Sequence, residues 1–407
     1  MKIGISAPVS TDSIKDLLSP SSTVLPMGYK GAPFLGTLIR SLLKKGHQVS
    51  VYTLDNSLSP NNLDPVIATG ENFKIYYLPM RKHSVRFNNG YLGRIVDLYH
   101  REIVAIRRSI ELDNPDFVHA HWSYEFSIAA ITSGKPYLMT CHDSPIQVLK
   151  YMPNIYRFGR LLMAVWALRS AKNISVVSPY LQHELNKLTS RKLLVVPNPS
   201  PVSSINDGEV LEDISQSLNG PKIIMICNGW GKRKNLEPGI LAFSKLLKIN
   251  PEAELSIYGY DMEVEGPAHR WARDHGVDKS IKFIGLVPNV QLLNSLKSST
   301  LMLHPALEEC CPLGVIEAMS YGIPVVGGQD SGGVPWVLDS GDSGVLVNVK
   351  SPDAILQGMI KLLESEQYYR YIKATALKRV KALFSQDSVC DAYLNIYEEI
   401  LSRERGQ

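Results

Sequence analysis

The chain has 407 residues, enough for two or three domains with large cores, which excludes a peptide or a stapled mini-protein. At 44% hydrophobic and 20% charged, with 29 Gly and 25 Pro dispersed along it, the composition is globular and neither disordered nor fibrous. Lys and Arg number 43 against 39 Asp and Glu, and the resulting +4 is too small for a dedicated nucleic-acid binder.

Lys2–Ser6 has the pattern of a short buried strand, and after the Gly28–Gly31 loop residues Ala32–Lys45 read as a helix ended by Gly46. Val49–Tyr52 is the next strand. The rhythm continues through Lys74–Leu78, a long helical stretch Leu92–Leu112, and strands at Phe117–His119, Pro136–Thr140 and Ile174–Val177. Such alternation predicts a parallel doubly wound sheet. Residues 199–220 carry no clear strand or long apolar helix and read as the linker.

A second series opens with the strand pattern from Lys222 to Ile226 and a helix near Leu236–Lys248, followed by strands Glu254–Tyr258, Ile281–Ile284 and Leu301–His304. From Asp353 onward the apolar spacing is helical, through Leu383 and again over Val389–Leu401. The predicted plan is an N-terminal Rossmann-like domain over 1–200, a linker over 201–220, a second Rossmann-like domain over 221–385, and a C-terminal helix over 386–407 packing back on the first domain. Two such α/β sheets are expected to face a central cleft with their strand carboxyl ends, where open sheets bind ligands.

The five cysteines, Cys141, Cys227, Cys310, Cys311 and Cys390, form no CxxC pair, and no apolar targeting run follows Met1 and Lys2. Both features point to a reducing cytosol. The apolar run Leu161–Leu168 is far short of the roughly 20 residues of a membrane span.

Chemistry concentrates in the run from His304 to Met319. A strand ends in Pro305-Ala306-Leu307-Glu308-Glu309-Cys310-Cys311-Pro312, and Leu313-Gly314-Val315-Ile316-Glu317 opens a helix. Unpaired N–H groups and partial positive charge at such a helix start suit a phosphate. Glu317, one turn inside, is placed to accept from vicinal ribose hydroxyls, and Glu309 to face whatever lies beyond the phosphates. As a bare pair of acids the spacing is weak, because solvated helix faces often show it. A second constellation, Asn228-Gly229-Trp230-Gly231-Lys232-Arg233-Lys234-Asn235, follows the first strand of the second series, where cations can stabilise a departing diphosphate.

Strand, acid, turn, helix with a second acid and then Gly322-Ile323-Pro324-Val325-Val326 closely resembles the signature of the retaining GT-B glycosyltransferases of family 4. Weaker marks follow in the family order: the Gly28-Tyr29-Lys30-Gly31 loop, Lys45-Gly46-His47, Asp116-Phe117-Val118-His119-Ala120-His121, Thr140-Cys141-His142-Asp143, Ser178 and Pro197-Asn198. The resemblance implies an acceptor-binding first domain and a nucleotide-sugar-binding second domain. It implies that Glu309 contacts donor-sugar hydroxyls, Glu317 holds the ribose, and Leu313 and Gly314 present amides to the diphosphate. Lys234 and Arg233 then steady the leaving group, and His121 reaches the donor sugar. Gly28 and Gly31 line the donor site, and Val287 lies in the Gly285-Leu286-Val287 stretch that reads the base through backbone. Two departures stand out: Pro312 has no N–H to give, and Trp230 stands where many members carry an Arg.

The family implies retaining transfer of a hexose-type sugar from a nucleotide sugar, UDP-linked by family frequency, to a saccharide or lipid-linked acceptor in glycan biosynthesis. No cofactor and no metal are expected, since no Asp-x-Asp and no metal-spaced His/Cys cluster occurs. Rival readings are a non-catalytic two-lobed sugar or nucleotide binder, and a synthase or phosphorylase of the same fold. From Ser144 to His183 there is no Asp or Glu, while Lys150, Arg157, Arg160, Arg169 and Lys172 supply five cations. With Arg101, Arg107 and Arg108 these predict either a solvated basic face or peripheral contact with anionic lipid at the inner face of the membrane.

Overall fold

The computed structural model describes residues 1–20, 24–29, 31–87, 90–202 and 218–406. The chain divides into two compact units, Met1–Pro201 with Gln386–Gln407, and Val202–Ser385. Most of the predicted linker, residues 203–217, lies outside the described residues.

The first unit is built on an eight-stranded sheet, in the order β3-β4-β2-β1-β5-β6-β7-β8. Its strands are β1 (Lys2–Ser6), β2 (Gln48–Asp55), β3 (Val66–Gly70), β4 (Phe73–Pro79), β5 (Phe117–His121), β6 (Tyr137–Cys141), β7 (Ile174–Val176) and β8 (Leu193–Val195). All neighbours pair in parallel except β3, which runs antiparallel to β4 at the edge. The central strands carry buried residues on both faces, as a sheet covered by helices on both sides requires. Strand order reverses between β1 and β5, so the loops leaving these strands open at a topological switch point.

Helices of this unit start where the sequence supplies caps. Ser144, Asn154 and Ser178 each accept from the amide three residues on, and Pro145 and Pro179 occupy the first turn, where a missing N–H costs nothing. The helix Gln386–Arg405 belongs to this unit and packs on the helix Phe34–Lys44 and on β6. Its Tyr397 hydroxyl meets His119 Nδ1 at 2.6 Å, inside the sheet's core.

The predicted helix over 92–112 begins only at His100. Leu98 and Tyr99 have φ of 52° and 63°, a left-handed backbone that a helix does not contain. The reason is tertiary. The buried Arg81 guanidinium takes the Leu92 carbonyl at 2.8 Å, both Asp97 oxygens at 2.8 Å and Glu102 Oε2 at 2.6 Å, and this network outweighs local helical preference.

The second unit carries a six-stranded, wholly parallel sheet in the order β11-β10-β9-β12-β13-β14. Its strands are β9 (Lys222–Ile226), β10 (Glu254–Tyr258), β11 (Ile281–Gly285), β12 (Leu301–His304), β13 (Val325–Gly328) and β14 (Val345–Val347). Apolar side chains from β9, β10 and β12 form one core with the helices Leu236–Ile249 and Pro352–Leu363. The switch point lies between β9 and β12. Among the described residues no helix is long and apolar enough to cross a membrane.

Candidate active site

In the second unit the loops after β9 and β12 emerge side by side at the switch point and are laced together. Leu307 N–H donates to the Arg233 carbonyl at 2.8 Å, and Asn235 Nδ2 donates to Pro305 O at 2.9 Å and Val349 O at 3.0 Å. Asn235 sits at φ 53° and hands the chain into the helix Leu236–Ile249. These bonds bring the two charge clusters of the sequence into contact. Lys234 Nζ lies 2.5 Å from Glu309 Oε1, and Arg233 Nη1 lies 3.3 Å from Glu308 Oε2.

Backbone contacts fix Glu309. It bridges to Gly332, its carbonyl accepts from Gly333 N–H at 2.7 Å, and any Cβ at Gly333 would meet the Cys310 carbonyl at 2.1 Å. Burial works to raise the Glu309 carboxyl, but Lys234, His304 and Arg233 outweigh it and hold the group below the usual carboxylate range. Glu308 goes the other way, because its burial exceeds what Arg233 returns. His304, the last residue of β12, is pushed down to about 4 by burial, and its Nε2 has no hydrogen-bond partner among the described residues.

The helix Leu313–Ser320 follows directly. Pro312 caps it from outside, at φ −71° and ψ 108°, and its carbonyl accepts from Ile316 N–H at 3.2 Å. The amides of Leu313 and Gly314 precede that first closing bond, so they belong to the helix-start donors. Glu317 lies one turn on, 7% exposed, with no hydrogen-bond or ion-pair partner among the described residues. Burial alone pushes its carboxyl up to about 7. A cation beside an acid, free helix-start amides and a second, unpartnered acid suit a bound anion carrying hydroxyl groups on either side.

In the first unit three histidines come together at the carboxyl end of β5 and β6. His121 Nδ1 lies 2.9 Å from His142 Nε2, and the His119 and His121 rings are 4.0 Å apart. Phe34 and Trp122 pack on His142 at 5.0 and 4.6 Å. Burial and the neighbouring rings hold His119 and His121 well below the usual imidazole value, and burial pushes His142 down to about 3, so all three are neutral near pH 7. His121 Nε2 is buried, with no hydrogen-bond partner among the described residues.

A family model for glycosyl transferases group 1 matches residues 209–379, and one for glycosyltransferase family 4 matches residues 33–203. The chain belongs to the group 1, family 4 glycosyltransferases. It is 23% identical over 398 residues to the N-acetyl-alpha-D-glucosaminyl L-malate synthase of Bacillus anthracis, across 92% of this chain and 96% of that protein. Among solved structures it resembles the sucrose-phosphate synthase of Thermosynechococcus elongatus, with a TM-score of 0.73 at 16% identity, covering 99% and 100% of the two chains. Anabaena Alr3699/HepE in complex with UDP and glucose gives 0.65 at 15% identity, covering 98% and 100%. The fold shared with the sucrose-phosphate synthase is GT-B.

The structure of this GT-B glycosyltransferase brings Arg233, Lys234 and Glu309 together and sets Leu313, Gly314 and Glu317 on the helix that follows. Val287 lies just beyond β11, after Gly285 at φ 79°, at the carboxyl edge of the same sheet. His121, Gly28 and Gly31 are in the first unit. Gly28, at φ 70°, is packed against the Val9 carbonyl, and its N–H is engaged by Asp55 Oδ2 at 2.6 Å, whereas Gly31 faces open space. Sequence reasoning gave no role to Glu308, His304 or His142, whose contacts depend on neighbouring strands. The predicted basic face loses Arg160, which is buried against Glu125 and stacked 3.6 Å over the Tyr124 ring. Arg101 is also engaged, over Tyr91 and to the Pro60 carbonyl.

Proposed function

We propose that this GT-B glycosyltransferase moves a hexose-type sugar, with retention of anomeric configuration, from a nucleotide-sugar donor to a saccharide or lipid-linked acceptor in glycan biosynthesis. The observation that carries the reading is the pairing of Lys234 with Glu309 at the switch point, followed by a helix whose first turns carry Leu313, Gly314 and the buried Glu317. Glu317 accepts the ribose hydroxyls, the Leu313 and Gly314 amides meet the diphosphate, and Glu309 takes hydroxyls of the donor sugar. Lys234, with Arg233 behind it, steadies the charge that grows on the diphosphate as the glycosidic bond breaks. His121, neutral and with a free Nε2, orients the sugar. UDP is the nucleotide favoured, in line with the UDP bound by the Anabaena structure.

Thermal-shift titration with UDP, GDP and ADP is the test. A ligand at a hundred times its dissociation constant stabilises by about 2.7 kcal/mol, a readily measured rise in melting temperature. UDP should give it, and Glu317→Ala at the same UDP concentration should reduce it to about half or less. No response to any of the three nucleotides would favour the non-catalytic sugar binder.

A further inference from the structure

The helix Ile155–Ser170 has an unusual outward face. Its inner side, Gly159, Met163, Ala164, Ala167 and Leu168, is buried as expected. Its outer side is apolar too: Ile155, Phe158, Leu162 and Trp166 are 66%, 47%, 47% and 45% exposed. At 100° per residue these four fall within about 80° of the circumference, a continuous stripe opposite the buried face. The stripe runs on over the adjoining segment, because Ile95 fills the space beside Gly159 and Leu92 and Val96 are themselves exposed. Single exposed apolar side chains are ordinary, but a contiguous stripe of large ones marks a surface with a partner.

Charge decides which partner. The segment from Ser144 to His183 contains no acid, and Lys150, Arg157, Arg169 and Lys172 flank the stripe in sequence. The neighbouring acids are already engaged, Glu125 by Arg160 and Asp97 by Arg81. Beyond the helix, Arg169, Lys187 and Arg191 line a surface cavity of about 640 Å³. Large apolar side chains with Arg169 on the same face, in a segment free of acids, match an anionic lipid surface, which takes apolar groups below its headgroups and Lys or Arg at them.

We propose that the outward face of the helix Ile155–Ser170 docks this enzyme on an anionic bilayer, with Phe158, Leu162 and Trp166 set into the interface and Arg169, on the same face, on the headgroups. The purpose of such docking rests on the transferase reading with a lipid-linked acceptor, so binding and turnover are read separately.

The experiment is sedimentation of the full chain with vesicles of phosphatidylcholine alone or with 30 mol% phosphatidylglycerol, at low and high salt. The wild type should partition at least tenfold better onto the anionic vesicles and lose that preference at high salt. Leu162→Asp/Trp166→Asp should lower partitioning at least tenfold with an unchanged melting curve, since both side chains are already half exposed. Trp166→Phe should keep binding and lose quenching by brominated lipid. Equal partitioning onto neutral and anionic vesicles, or an unaffected double variant, overturns the proposal. So does a dimer in solution that the double variant dissolves, because the stripe then serves a second copy of the chain. Docking without transfer to any lipid-linked acceptor would leave the surface standing and remove the acceptor assignment instead.

Discussion

His121 Nδ1 and His142 Nε2 share one hydrogen bond of 2.9 Å between two neutral rings. With no imidazolium in the pair, one ring donates and the other accepts. The bond therefore fixes the orientation of His121 and leaves its Nε2 as the buried, unpartnered atom. His119, two residues earlier on the same face of β5, has different partners. It bonds Tyr397 through Nδ1 and Thr140 through Nε2, at 2.6 and 2.7 Å, and ties the C-terminal helix to the sheet.

The two histidines should separate in a mutational test. His142→Phe keeps the ring contacts with Phe34 and Trp122 but frees His121, and should lower kcat roughly fivefold, the worth of about 1 kcal/mol, with little change in KM. Tyr397→Phe leaves His119 Nδ1 buried and unpaired, and should cost about 1–3 kcal/mol of stability with kcat intact. Steady-state kinetics and urea titrations on both variants check this, and the reverse pattern would exchange the two roles.

Glu317 makes a prediction about pH. Its folded value of about 7 lies above the ordinary 4.5, so between these limits the native state keeps a proton that the unfolded chain has released. Its contribution to stability is therefore fully present below pH 4.5 and is lost as pH rises to about 7, a fall of about 3 kcal/mol. The buried histidines act with the opposite sign, since their values are depressed, but they are common to wild type and variant. Urea midpoints at pH 5 and pH 8 should show the wild type losing stability relative to Glu317→Gln. For the donor, Glu317→Ala should weaken binding about ten- to a hundredfold by calorimetry, as expected for hydrogen bonds to a charged group.

The parts of this molecule legible in sequence are those encoded in consecutive residues. Parallel strands buried on both faces read as apolar runs, so β9 at Lys222–Ile226 and β2 around Val49–Tyr52 stand out. The edge strand β3, Val66–Gly70, is half exposed and antiparallel, and its pattern carries no comparable signal. The helix over 92–112 is cut short by Arg81, whose partners at 92, 97 and 102 cannot be read from helical periodicity. The acids Glu309 and Glu317 are visible because strand, turn and helix are contiguous. The pairing of Arg233 with Glu308, and of His142 with His121, is set by which strands lie side by side, and one-dimensional spacing does not contain it.

Lys234 is predicted to matter for the chemical step. In the structure it neutralises Glu309, so Lys234→Ala removes a charge from the leaving group and leaves a buried carboxylate with less compensation. Turnover should fall a hundred- to a thousandfold at saturating donor. The Glu309 carboxyl, no longer held down by its nearest cation, should titrate higher, which adds an acid limb to the kcat profile. Near wild-type turnover would move the role to Arg233 or Lys232.

The product is predicted to keep the donor's anomeric configuration, without a covalent enzyme intermediate. A double displacement needs a carboxylate free to attack beneath the anomeric carbon. Glu309 is held 2.5 Å from Lys234 and fixed through its backbone to Gly332 and Gly333, and Glu317 sits a helical turn away, on the side proposed for the ribose. Glu308, the third acid of the cluster, is turned to Arg233 at 3.3 Å, so each of the three already has an assigned partner or role. The route predicted for retention is a front-face one, in which the departing phosphate oxygen accepts the proton of the incoming hydroxyl while the acceptor oxygen bonds to the anomeric carbon from the same side. Charge on that phosphate is met by Lys234, Arg233 and the helix start at Leu313. Pro312 withholds one N–H from the set, which places more of the work on the two side chains. Proton NMR of the first product from an α-linked donor decides the matter: an α-linked product is expected, and a β-linked one would mean inversion and overturn the route.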